Sequence, residues 1–100
     1  MNIEEAITKS PQMPEGSVLV ARLPFTWGSE AEFVMLTDEY GVPSATMEAG
    51  FKYLLELDEI MDCLDYLKKK RAGTKTVAEF VIHYAVYDTA PAWIEDIPDA

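Results

Sequence analysis

Residues 17–24 (Ser-Val-Leu-Val-Ala-Arg-Leu-Pro) are almost continuously apolar, rich in β-branched side chains and closed by a proline. They predict a first strand. Residues 32–37 (Glu-Phe-Val-Met-Leu-Thr) predict a second. The link Phe25-Thr-Trp-Gly-Ser29 carries a Gly-Ser turn signal, so the two strands are expected to pair as a hairpin. Asp38-Glu-Tyr-Gly41, acidic first and glycine last, ends the second strand in a turn. From 45 to 57 the pattern supports two periods. Met47, Ala49, Phe51, Tyr53, Leu55 and Leu57 alternate with other residues, and only Leu54 breaks the period of two. Tyr53, Leu57, Ile60, Leu64 and Leu67 also follow helical spacing, but Gly50 inside a helix costs about 1 kcal/mol against alanine. The favoured reading is a strand over 48–56 followed by a helix; the alternative is one helix over 46–71.

The helix over 58–71 has Asp58 as its expected cap and Ile60, Met61, Leu64 and Leu67 as its buried stripe. Acids at its start and the run Lys68-Lys-Lys-Arg71 at its end oppose the helix dipole, and Ala72-Gly73 stops it. Residues 77–88 (Val-Ala-Glu-Phe-Val-Ile-His-Tyr-Ala-Val-Tyr-Asp) read as a central strand because β-branched and aromatic types dominate. The competing reading is a helix capped by a Thr76-x-x-Glu79 box. The flanks are a helical turn over 3–8, a Pro/Gly linker over 9–16, and an acidic tail holding Pro91, Trp93, Ile94 and Pro98. Together these define a small single α+β domain. It has an N-terminal turn and linker (1–16), a core of a mainly antiparallel sheet of three to four strands with one main helix packed on it (17–88), and a C-terminal tail (89–100). Strands flanking the helix would pair in parallel through a right-handed crossover.

An apolar content of 49% in 100 residues suits one folded core and is too high for a disordered acidic chain. The acid excess, 18 Asp and Glu against 8 Lys and Arg for a net charge of −10, argues against direct binding to nucleic acid or an anionic membrane. One cysteine, Cys63, leaves no internal disulfide or multi-cysteine zinc site, and one histidine, His83, leaves no two-histidine zinc motif. The chain opens without the basic and apolar regions of a signal peptide, and its single thiol fits a reducing cytoplasm, so a cytoplasmic location is expected.

The chemistry of catalysis is thin. None of the four serines lies in Gly-x-Ser-x-Gly, and His83, inside an apolar run, reads as a packed histidine. Cys63 lies beside Asp62, which raises a thiol pKa rather than lowering it. There is no calcium loop and no glycine-rich phosphate loop. The expectation is a protein without enzymatic activity and without a metal or organic cofactor.

Charge placement sharpens this picture. Residues 1–67 carry 13 acids against 3 bases, residues 68–75 five bases and no acid, and residues 76–100 five acids and no base. The basic run reads as a solvated last turn, with Lys69 pairing to Asp65. Asp58, Asp62 and Asp65, at i, i+4 and i+7, fall on one helix face and form a row of anions suited to a channel built for a nucleic-acid backbone. Trp27, in the first loop, and Trp93, in the tail, are candidate interface anchors, with a structural cover over the core as the plain alternative.

The expected function is a small inhibitor that docks through Asp58, Asp62, Asp65, Trp27 and Trp93 on a basic surface of a nucleic-acid-handling protein. In size and charge alone the chain resembles the small acidic inhibitors that phages carry against host defence, anti-CRISPR proteins among them; no motif is shared and no residue role is carried over. The alternatives are an assembly module or homodimer using an exposed sheet edge, and a small enzyme or ligand-binding domain working through His83 or a carboxylate.

Overall fold

The computed structural model describes all of residues 1–100. The chain forms a small α+β domain in the order α1 (Ile3–Lys9), β1 (Ser17–Ala21), β2 (Ala31–Met35), α2 (Ser44–Glu48), β3 (Lys52–Glu56), α3 (Leu57–Leu67) and α4 (Thr74–Tyr87). Short 3-10 turns follow α1 (Ser10–Gln12) and α4 (Ala92–Asp96). The three strands make one antiparallel sheet in the order β2-β1-β3.

β1 is buried along its whole length because it has a strand on each side and a packed layer on each face. Leu19 and Ala21 enter the main core with α1, α3 and α4. Val18 and Val20 point the other way, into a smaller cluster with Phe51, Val34, Leu36 and Val42. Alternation along the strand thus assigns its two faces to two separate apolar layers. The segment from Leu36 to Phe51, short α2 included, covers the face that the three longer helices leave bare.

The hairpin of β1 and β2 forms as the pattern predicted, with Leu19 opposite Phe33. β3 is shorter than the predicted strand over 48–56, because residues 44–48 form α2. Gly50 follows at φ +94°, a backbone conformation natural to glycine. A Cβ there would meet the Arg22 guanidinium at 2.5 Å. Gly50→Ala is therefore expected to destabilise by about 1–2 kcal/mol, measured by urea unfolding. An unchanged midpoint would show that Arg22 moves aside freely and that the turn tolerates a side chain. Within β3, Leu19 pairs with Leu55 and Val20 with Tyr53, so Leu54 is the extra residue of a β-bulge. The bulge lets Leu54 and Leu55, consecutive in sequence, both be buried.

Residues 77–88 are not a strand. They lie in α4, which runs from Thr74 to Tyr87 and ends on Asp88 in the left-handed conformation. Ala78 and Val81 are completely buried at i and i+3, and Phe80 nearly so. Burial of that face outweighs the β preference of Val77, Val81, Ile82 and Val86. Gly73, not Thr76, stands at the cap position, and no side chain caps the helix. With no strand after α3, the parallel crossover does not form.

α3 is shorter than the predicted helix and rotated from its expected stripe. It buries Leu57, Ile60, Cys63 and Leu67, leaving Met61 exposed and Leu64 half-buried. Asp58 sits in the first turn rather than at the cap, which is Glu56 without a side-chain bond. The helix stops at Leu67 because the backbone beyond it pairs with the end of the chain: Arg71 N–H donates to Pro98 O at 2.8 Å, and Ala100 N–H to Lys69 O at 2.9 Å. The ends are integral to the packing. Ile3, Ala6 and Ile7 from α1 and Ile94 from the tail belong to the same core as the sheet. Asn2 and Glu5 close a capping box at the start of α1. No helix is long and apolar enough to cross a membrane.

Candidate functional site

Two surfaces gather the residues singled out in the sequence. The first is the outer face of α3. Asp58, Asp62 and Asp65 are all exposed there, opposite the buried stripe. Their only cationic neighbour within ion-pair distance is Lys68, 3.6 Å from Asp65; the expected Lys69 pairing is replaced by this i, i+3 contact. Both partners are well exposed, so the pair adds little to stability. Only Glu30, Asp65 and Asp99 among the 18 acidic side chains meet a cation anywhere in the fold.

The acidic field spreads from α3 toward the end of α4. The carboxyl of Glu59 is pushed up by burial and by the charges of Glu56, Asp88 and Asp62. The Tyr84 hydroxyl is pushed up chiefly by Glu59, with burial, Asp88, Cys63 and Asp62 adding to it. Glu59 and Asp88 thus join a face predicted as three aspartates alone. Asp88 was not legible as a member because a strand over 77–88 would have carried it away from α3.

Cys63 lies under this field. Burial, followed by Asp62 and Glu59, pushes its thiol up to about 11. A protonated, covered thiol is a poor nucleophile. In the native protein Cys63 is expected to resist iodoacetamide at pH 8 and to react once urea unfolds the chain; equal rates in both states would refute its burial. The same shift gives a pH signature. The unfolded thiol ionises near its ordinary 9.0 while the folded one holds its proton to about 11. Below about pH 9 the thiol leaves stability unchanged, and stability falls as pH climbs from there toward 11. Cys63→Ala should reduce that fall in urea midpoints measured from pH 8 to 11. The raised hydroxyls of Tyr53 and Tyr84 supply the remainder, which persists in the variant.

The basic run does not form a free patch. The Lys70 ammonium is largely covered, 3.2 Å from Asp99 and 3.4 Å from Ile97 O. Lys75 lies over the Trp27 ring, 4.3 Å from its centroid. Lys69 and Arg71 reach solvent.

The second surface is a groove of about 370 Å³ between the loop after β1 and α4. The two tryptophans, 66 residues apart in sequence, line it together, with Phe25, Tyr87, His83 and Glu79. The Trp27 loop is held to α1 by Glu4 N–H donating to Trp27 O at 3.0 Å and Ile3 N–H to Ser29 O at 2.9 Å. Trp93 packs edge-on against Phe80, with ring centroids 6.4 Å apart. Trp27 is more than a third exposed and Trp93 half-buried, so each combines a structural contact with an accessible part. His83 Nδ1 is 2.9 Å from Thr89 O and its ring 4.6 Å from Tyr87. Nδ1 therefore carries the proton and donates it to the carbonyl. No serine or cysteine lines this groove. No three His, Cys, Asp or Glu side chains converge to hold a metal ion.

Comparison with protein-family models, with curated proteins and with solved structures finds no match to this chain.

Proposed function

We propose that this chain is a non-enzymatic, acidic inhibitor that works in the cytoplasm by docking on a basic surface of a nucleic-acid-handling protein, anti-defence and anti-CRISPR-like in character. One observation carries the reading: the Asp58–Asp62–Asp65 face is exposed and almost free of counter-charge. Along the α3 axis the three carboxylates are spaced roughly 4.5–6 Å apart, against about 3.4 Å per charge on one nucleic-acid strand. Glu59 and Asp88 thicken the field beside the row. The face thus approaches the linear charge density a phosphate-binding channel is built to receive. Trp27 and Trp93 lie on a separate groove and supply a second point of attachment.

The test is displacement. Lysate of the cell that carries this protein is bound to immobilised DNA or RNA and eluted with the protein at low salt. A specific nucleic-acid-binding protein should leave the column, and the release should weaken steeply as salt rises. Release of nothing beyond what an unrelated acidic protein of equal charge releases would sink the proposal.

A second reading has its own observation. β2 is an edge strand whose outer side is bonded at Ala31, whose N–H donates to Met1 O at 2.7 Å, while Met35 beyond it is half exposed. An open edge of this kind can pair with a second copy. Sedimentation would then show a dimer without any partner, and a monomer at millimolar concentration would eliminate the homodimer.

A further inference from the structure

We propose that the groove between the loop after β1 and α4 receives an arginine side chain of the basic partner, its guanidinium stacked on Trp27 and Trp93 and bonded to the Glu79 carboxylate. The proposal rests on the reading of the chain as a binder of a basic protein, and gives that binder a second contact with its own chemistry. Besides the His83 imidazole, the rings of Phe25, Trp27, Tyr87 and Trp93 line the groove, and tryptophan offers the strongest face to a cation. Glu79 is exposed on the same wall and meets no cation of its own chain. Charge complementarity therefore selects a cationic occupant, in a protein whose net charge is already −10.

Two internal contacts mirror the proposed one. Lys75 lies over the Trp27 ring at 4.3 Å, so that ring already accepts a cation. Arg22 sits over the Phe51 ring at 4.4 Å while its Nε donates to Glu30 Oε2 at 2.8 Å. This fold thus holds a guanidinium with one aromatic face and one carboxylate. The groove presents the same pair of elements with no arginine in it. Arginine fits better than lysine because its planar head stacks on a ring and still directs N–H groups sideways to a carboxylate.

The measurement is tryptophan fluorescence, excited at the red edge where the five tyrosines do not absorb, since both tryptophans of the chain line the groove and that signal reports on it. The protein is titrated at low salt with an eight-residue peptide alternating glycine and arginine, and with the same peptide carrying citrulline or lysine for arginine. The arginine peptide should give a saturable change, and the citrulline peptide should bind about 10-fold more weakly or worse. Glu79→Gln should weaken the arginine peptide by roughly 5–20-fold. Lys75→Gln, which removes the chain's own cation from the Trp27 ring, should strengthen it by about 2–5-fold, whereas Lys52→Gln, on the exposed side of β3, should change it much less. Equal midpoints for arginine and citrulline, an unaffected Glu79→Gln variant, or equal gains from Lys75→Gln and Lys52→Gln would overturn the groove assignment. A lysine peptide binding as tightly as the arginine one would overturn the guanidinium stacking. The triple variant Asp58→Lys, Asp62→Lys, Asp65→Lys should bind the arginine peptide no more weakly than the variant of equal net charge Glu15→Lys, Asp38→Lys, Glu39→Lys, and a clearly weaker response than that control would place the peptide on α3 instead. If displacement from nucleic acid fails while the peptide response holds, the inhibitor reading falls and the groove stands; the reverse pattern removes the groove alone.

Discussion

Leu19→Ala is expected to cost about 2–5 kcal/mol of folding stability, a large share of the roughly 5–15 kcal/mol that holds a domain of this size. Leu19 is completely buried at the centre of the middle strand, between Phe33 on one side and Leu55 on the other. Its side chain faces the layer where α1, α3 and α4 meet the sheet, so removing three carbons leaves a void that several elements would have to close together. The neighbouring bulge limits that closure, because Leu54 and Leu55 are already fixed against the same core. Urea unfolding measures the loss. Leu23→Ala provides the contrast, since Leu23 is 63% exposed and should change stability by no more than about 0.5 kcal/mol. A loss below about 1 kcal/mol for Leu19→Ala would mean that the core does not converge on β1.

The hairpin was readable because its pattern obeys local rules: β-branched residues between turn signals, with one face of each strand apolar. β3 was readable from its period of two, and even the break at Leu54 marked a real event, the bulge. α4 was misread for an identifiable reason. Its valines and aromatics carry strand preference, and the helical spacing of Ala78, Val81 and Ala85 becomes decisive only when α1 and α3 are there to bury it. The early end of α3 was not readable at all, since it depends on the tail returning to pair with Lys69 and Arg71, a contact across 27 residues or more. The same limit applies to the binding surfaces. A helical period places Asp58, Asp62 and Asp65 together from sequence alone. The meeting of Trp27 with Trp93 needs both the loop anchored on α1 and the tail folded across α4, and no local pattern encodes either.

Reversing Asp58, Asp62 and Asp65 to lysine together is expected to slow association with the displaced basic partner by roughly 10–100-fold at low salt. Each reversal adds two charges, moving the net charge from −10 to −4. Part of any slowing would come from that general change, so a matched variant is needed. Glu15→Lys, Asp38→Lys and Glu39→Lys also brings the net charge to −4, at three exposed acids outside α3, on loops that border its first turn. If the acidic row is the docking surface, the α3 variant should be slower than this control by about 10-fold or more, and the gap should narrow as salt screens the charges. Folding is a manageable concern. Asp58 loses a favourable place in the first turn of α3, about 0.3–1 kcal/mol, and Asp65 loses an exposed pair with Lys68, about 0–1 kcal/mol. The buried stripe of Leu57, Ile60, Cys63 and Leu67 on the opposite face is untouched. An unfolding midpoint close to the parent would confirm that a slower rate reflects the surface rather than the fold. Equal rates for the two variants would mean that the −10 charge keeps the protein dispersed and confers no docking site.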